Sequence, residues 1–498
     1  MNVLARTIQI WSRLLLALLV FSVCAENTKV LSKVPSQQSK DQKPTPARSL
    51  EIENLVSSAR TIPLEFAAML LYRIAQSEKV TDRQWKKELL EEAFLFSEKA
   101  QVDIRRRVVP FPGVSVDTDS GYRSYAFDLE IDRLSLRSRI VRAMLPLDKQ
   151  RARELLSQMS PNLKLAPLDC SDAMVYEVAT FYESLIAVAE RGFSTDEIES
   201  GLRAEYIVPY VRGITSPAQV GPVIQLLLRF KSSPGELYYL VRVFGDALAK
   251  ISVDDRSFSY SITRQPISRG ILELARVHYQ HQNQSDDLLK AYRAYLVKNL
   301  TAARCADNAA SDEQVPPIYI SDANFLFDNK ISRDELIPAE TKAGPKFLKY
   351  WETDEARAML RKSKALSWGP EGESVLEGEK ESAAWQQRVQ DYLAQLESWS
   401  GSHEVSEVAV FHQKCVLYAG LLNRVPDGPL KEDIFRSYER YLTKASIRDE
   451  SRIEWFLHVS QLLSRSEVLA AKNRWIRILS ESSNTTIRLN AKALLLRL

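Results

Sequence analysis

Histidine is the side chain best suited to proton transfer and metal binding near neutral pH, and this chain of 498 residues has only five. His278 and His281 stand three apart, a spacing that places two imidazoles on one helix face and could offer both to one metal. No third ligand lies nearby in sequence, and the Gln-rich surroundings suit a solvated helix end. His403-Glu404-Val405-Ser406-Glu407 opens as a zinc-protease helix does, but Glu407 occupies the place of the second imidazole. His412 and His458 fall within helical patterns and read as structural. Asp128 and Asp132, four apart, are the best local pair for hydrolysis by two carboxylates, although Arg133 and Arg137 are placed to neutralise them. Two segments hint at calcium. In Asp117-Thr118-Asp119-Ser120-Gly121 the glycine comes one place early. In Asn324–Glu335 the residues Asp328, Asn329, Ile331, Ser332 and Glu335 fit the second half of an EF-hand loop, but Leu326 replaces a required oxygen. Ser332 and Glu335 also fit a plain helix cap. From these patterns we assign no catalytic, metal-binding or cofactor-binding residue and expect no cofactor.

Other signatures of chemistry are missing. The sequence contains no Gly-x-Gly, no Gly-Lys, no Gly-x-Ser-x-Gly, no Ser-x-x-Lys and no Cys-x-x-Cys. Cysteine is sparse. Cys24 belongs to the N-terminal segment discussed below, and Cys415 lies on an apolar helical stripe, where it reads as a small buried hydrophobe. Cys170 precedes a helix expected from about Ser171, and Cys305 follows one expected to end near Ala303. Both sit where side chains can reach a neighbouring element, so they form the candidate disulfide, with two free thiols as the alternative. Asn283, Asn299 and Asn484 open glycosylation sequons by pattern.

The elements that would carry these residues are helices. Trp385, Val389, Tyr392, Leu396 and Trp399 step by four and three along one face, as do Val408, Phe411, Cys415, Tyr418 and Leu422. The aromatic stripe could stack on sugar, but its spacing fits a core. Val175, Val178, Tyr182, Leu185 and Ala189 predict a further helix. The basic run Arg105-Arg106-Arg107 is expected at a helix end, where cations are favourable. Capping boxes are expected at Thr81…Gln84, Ser194…Glu197, Ser216…Gln219 and Ser233…Glu236, the last two with Pro217 and Pro234 at the first helical position. Helices pair over 62–78 with 81–100, 124–145 with 147–159, and 216–231 with 234–250. No constant period repeats. The expected fold is all-α, an α-solenoid-like stack of helical hairpins, irregular in the manner of TPR or HEAT arrays, with one subdomain boundary.

Residues 1–25 read as a signal peptide. Arg6 and Arg13 precede an apolar run from Leu14 to Ala25 that is too short to span a bilayer, and Val23 and Ala25 fit a cleavage site. An uncleaved anchor and a lipid-modified Cys24 are the competing readings. Residues 26–48 are polar and Pro-containing, as expected of a disordered tail. A helical-repeat region is expected over 49–304, an irregular linker over 305–344, and a Trp-rich helical region over 345–498. Without Arg6 and Arg13 the chain holds 65 basic against 64 acidic residues, which argues against nucleic acid as a partner. No later segment is apolar enough to cross a membrane.

The segment Glu65-Phe66-Ala67-Ala68-Met69-Leu70-Leu71 through Trp85-Lys86-Lys87-Glu88-Leu89-Leu90-Glu91-Glu92-Ala93-Phe94 resembles exported all-α bacterial proteins with no assigned function. Phe411-His412-Gln413-Lys414-Cys415 and Glu454-Trp455-Phe456 are similar to their C-terminal halves. These are packing motifs, so the resemblance implies no activity. The expectation is an exported scaffold, periplasmic or extracellular, that binds a protein or peptide partner. The alternative is an exported hydrolase or lyase that acts on polysaccharide or cell-wall material through carboxylates brought together by the fold.

Overall fold

The computed structural model describes residues 48–100, 106–108, 129–159, 165–170, 174–229, 233–264, 266–282, 286–306, 317–332, 334–336, 340–343, 350–368, 378, 380, 382–445, 452–468 and 472–495. The expected signal peptide and most of the expected tail lie outside them. So do Asp117–Gly121, Asp128, Asn283 and most of the polar loop after Trp368.

Helices dominate the described residues. The first are α1 (Leu50–Ala59), α2 (Leu64–Gln76) and α3 (Arg83–Glu98). Asp82 rather than Thr81 caps α3, accepting from the Gln84 and Trp85 amides. Strand β1 (Arg106–Val108) follows, then α4 (Arg133–Met144) and α5 (Lys149–Gln158). After β2 (Met174–Tyr176) come α6 (Ala179–Arg191), α7 (Thr195–Glu199), α8 (Leu202–Arg212) and α9 (Val220–Arg229). Next are α10 (Pro234–Leu248), α11 (Asp255–Arg264), α12 (Ile267–Gln282) and α13 (Asp286–Leu300). Strand β3 (Arg304–Cys305), α14 (Pro317–Asn324) and β4 (Thr341–Lys342) occupy the segment expected to be irregular. The C-terminal helices are α15 (Asp354–Ala365), α16 (Ala383–Ser398), α17 (Glu407–Arg424), α18 (Pro429–Lys444), α19 (Arg452–Val468), α20 (Lys472–Ser480) and α21 (Thr485–Leu495).

Two expectations about local structure need correction. Arg106 and Arg107 lie in a strand, not at a helix end: β1 pairs antiparallel with β2, Arg106 opposite Tyr176 and Arg107 opposite Val175. Val175 therefore belongs to β2, and α6 starts only at Ala179. Strands of three residues or fewer are too short to show an alternating pattern, which is why no strand was expected.

Two of the expected boxes are complete: Ser194 with Glu197, and Ser216 with Gln219, which opens a 3-10 turn leading into α9. At Ser233 only half of the box forms. Its hydroxyl accepts from the Glu236 amide at 3.3 Å. The Glu236 carboxylate instead takes both arms of Arg203, at 3.2 and 2.7 Å, tying α8 to α10 in a buried ion pair.

Among the described helices, α2 packs on α3, α3 on α4, α4 on α6, α6 on α9 and α9 on α12. α8 packs on α10, and α10 on α13. The expected α9–α10 hairpin is a minor contact, because each helix lies mainly against other partners. In the C-terminal part α15, α16, α17, α18 and α19 interlock, and α21 packs on α1 and α2. Phe66 of α2 meets Trp455 and Phe456 of α19 edge to face, with ring centroids at 6.1 and 5.0 Å. One apolar cluster thus runs from Ile52 to Leu494 and does not divide at the 305–344 segment. The described residues from Arg48 onward belong to one compact unit, and no described helix is long and apolar enough to cross a membrane.

Candidate functional site

Among the described residues, three places stand out for buried polar groups or open space. The first surrounds Cys170 and Cys305, which the structure joins with Cα atoms 5.3 Å apart. Cys305 follows α13, as expected, and lies in the short strand β3, where its amide donates to Asp255 Oδ2 at 2.9 Å. Asp255 Oδ1 stands 3.7 Å from the Arg304 guanidinium, and both side chains are buried. The next residue, Arg256, is fully buried and donates to the Cys170 carbonyl. Asp254 accepts from the Ser257 amide at 3.2 Å and the Ser257 hydroxyl at 2.8 Å. Both acids sit at the start of α11, where the helix dipole favours negative charge. Burial is nonetheless the larger effect on Asp254, and its pKa is raised. Asp254-Asp255-Arg256 thus forms the polar lining of a disulfide knot.

The second place is in the C-terminal helices. His412 on α17 and His458 on α19 meet at Nδ1···Nε2 2.8 Å, exposed by only 0% and 2%. Tyr438 of α18 lies 3.4 Å from the other nitrogen of His458. Phe411 packs edge to face on the His458 ring. Burial, then His412 and Arg465, hold the His458 imidazolium well below its usual range. Burial also pushes up the thiol of Cys415, which lies on the apolar stripe. Lys414 donates to the Glu397 and Trp399 carbonyls at 3.1 and 2.8 Å, closing the C-terminal end of α16. Burial lowers its pKa. Sequence inspection missed this meeting of histidines, since 46 residues separate them and only the crossing of α17 and α19 brings them together.

The third place is a pair of solvent-open clefts. One, of about 260 Å³, lies between α6, α9 and the start of α12, with Ile186, Ile224 and Ile267 among its lining. The other, of about 770 Å³, lies between α10 and α13. Arg242, Asp246, Lys250 and Asp287 line it.

Most of the residues singled out by spacing have structural roles. Asp132 is buried and caps α4, accepting from the Ser135 amide at 2.9 Å. His403 lies in an exposed turn before the cap residue Ser406, so the zinc-protease spacing does not fall on a helix. His278 and His281 are on α12, but their side chains lie outside what the structure describes. In the calcium-like segment, Glu335 binds Arg293 through both oxygens at 2.9 Å and the Ser332 amide at 2.9 Å. Asn324 clamps the turn through the Ile331 amide and carbonyl. Among the described residues no cluster of three metal-ligating side chains occurs. Trp385, Val389, Tyr392 and Leu396 are buried, as a core stripe requires. Asn299 is buried and donates to the Tyr295 carbonyl, so its sequon offers no accessible amide. No family model, curated protein or solved structure matches the chain.

Proposed function

We propose that this protein is an exported helical scaffold whose solenoid-like stack binds a protein or peptide partner. The observation that carries this reading is the pair of clefts between packed helices, one largely apolar and one lined by charged residues. Grooves between packed helices are common sites for peptides and small ligands. The buried polar clusters support the same reading, because their reactive groups are enclosed and serve packing.

The test is selection of a displayed random-peptide library on the disulfide-bonded protein. Enrichment of sequences that bind saturably and compete with one another supports the scaffold. Recovery no better than on an unrelated disulfide-bonded protein sinks it.

One observation favours the second reading, a hydrolase or lyase acting on polysaccharide or cell-wall material. The larger cleft holds two carboxylates, Asp246 and Asp287, together with Tyr238. Release of reducing ends from cell-wall polysaccharide by the wild type, abolished in both Asp246→Asn and Asp287→Asn, would replace the binding reading.

A further inference from the structure

We infer that the cleft between α6, α9 and α12 receives one large apolar side chain of an acidic peptide. The inference rests on the binding reading above and assigns it a site and a ligand chemistry. At about 260 Å³ the cleft falls below the roughly 300–1,000 Å³ of pockets that hold drug-sized ligands, so it suits a side chain rather than a cofactor. Pro222 and Pro266 are part of its wall and have no amide N–H to offer a polar ligand. Tyr182 contributes its ring, since its hydroxyl already accepts from Gln219 Nε2 at 3.2 Å. The cleft has a structural cause. A Cβ on Gly270 would stand 2.3 Å from Ile224 Cγ2, so α12 packs tightly against α9 there. The cleft lies one turn nearer the start of α12, at Pro266 and Ile267.

The rim selects charge. Glu183 is engaged by Arg142 at 3.1 Å. Gln225 and Arg229, one turn apart on α9, are exposed, and among the described residues neither has a side-chain hydrogen bond or ion pair. The uncommitted charge at the mouth is therefore positive, complementary to carboxylates flanking the inserted side chain.

The probe is fluorescein-labelled Gly-Asp-Glu-Phe-Asp-Glu-Gly-amide, titrated with the disulfide-bonded protein by fluorescence anisotropy. Saturable binding is expected, weakening with salt. Replacing the probe's Phe by Ala should lose about tenfold or more, and replacing its acids by amides several-fold. Arg229→Glu should weaken the acidic probe several-fold and spare the amide version. Gln225→Trp, which fills the mouth, should weaken both. Both substitutions are at exposed positions, and unchanged thermal unfolding confirms the fold. If both variants bind the acidic probe as the wild type does, the cleft is the wrong site, although peptide binding itself stands. If an acid-free peptide with a free carboxyl terminus at Phe binds better than the probe, the occupant is a chain end and the inference falls. Failure of the displayed library to yield any binder removes the binding reading and this inference together.

Discussion

The knot at Cys170–Cys305 and the histidine pair at His412–His458 are both buried polar clusters, and they solve the problem of burial in opposite ways. In the knot the charges are kept. Asp255 faces Arg304, Arg256 donates to the Cys170 carbonyl, and a covalent bond holds the surrounding segments in place. In the pair the charge is avoided, since two imidazoles share a hydrogen bond only while at least one nitrogen between them lacks a proton. One cluster depends on oxidation and the other on neutrality. The first should be sensitive to reductant, the second to mild acid.

The largest expected effect breaks the covalent side. Cys170 and Cys305 enclose a loop with a sequence separation of 135 residues, for which chain entropy gives at most about 5 kcal/mol. Cys305→Ser, or reduction, should lower the urea midpoint by a corresponding amount. Among Cys170, Cys305 and Cys415, peptide mapping of the native protein should show only Cys415 as a thiol, and then only after unfolding. Alkylation of Cys170 and Cys305 without reductant would remove the bridge from the comparison.

Acid should act mainly on the pair. The unfolded His458 takes up a proton near pH 6.5, whereas the folded residue resists it to much lower pH. Below pH 6.5 the unfolded state therefore binds more protons, and stability falls as pH falls, by about 1.4 kcal/mol per pH unit. Between pH 7 and pH 5 the loss is roughly 2 kcal/mol. His458→Gln keeps a hydrogen-bonding partner for His412 and should remove most of this slope in urea titrations at the two pH values. An unchanged slope would place the acid sensitivity elsewhere.

The smallest effect has the opposite sign. Asp254 has a raised pKa, so between 3.8 and its folded value the folded state holds the proton more firmly. Its contribution to stability is lost as pH rises through that window. Asp254→Asn should stabilise the protein at neutral pH by about 1 kcal/mol or less and flatten the dependence in that acid window. A destabilised variant would mean that the Asp254 charge is needed by the knot.

What was legible in the sequence was local. Ser194, Ser216 and the Trp385–Leu396 stripe announced themselves because a cap or a helix face is written within a few residues. Cys170 and Cys305 could be proposed as partners because Cys415 sits on an apolar stripe and Cys24 falls in the N-terminal segment. Their actual settings were not legible, since β2 and β3 are too short to leave a pattern. Asp132 looked like half of a catalytic pair, and only the start of α4 shows it to be a cap. The histidine pair, the Arg203–Glu236 bridge and both clefts depend on which helices cross, and no spacing encodes that. The α9–α10 hairpin shows the same limit: adjacency in sequence was plain, but each helix found its main neighbours elsewhere.

The packing of α21 on α1 and α2, and of Trp455 on Phe66, also sets a schedule. Trp455 follows Phe66 by about 390 residues. At synthesis rates of about 5–20 residues per second, the surface of the first helices waits roughly 20–80 s for the residues that cover it. Helices made early must keep that face from aggregating until those made last arrive, so the N-terminal surface is completed only after the C-terminal helices are made.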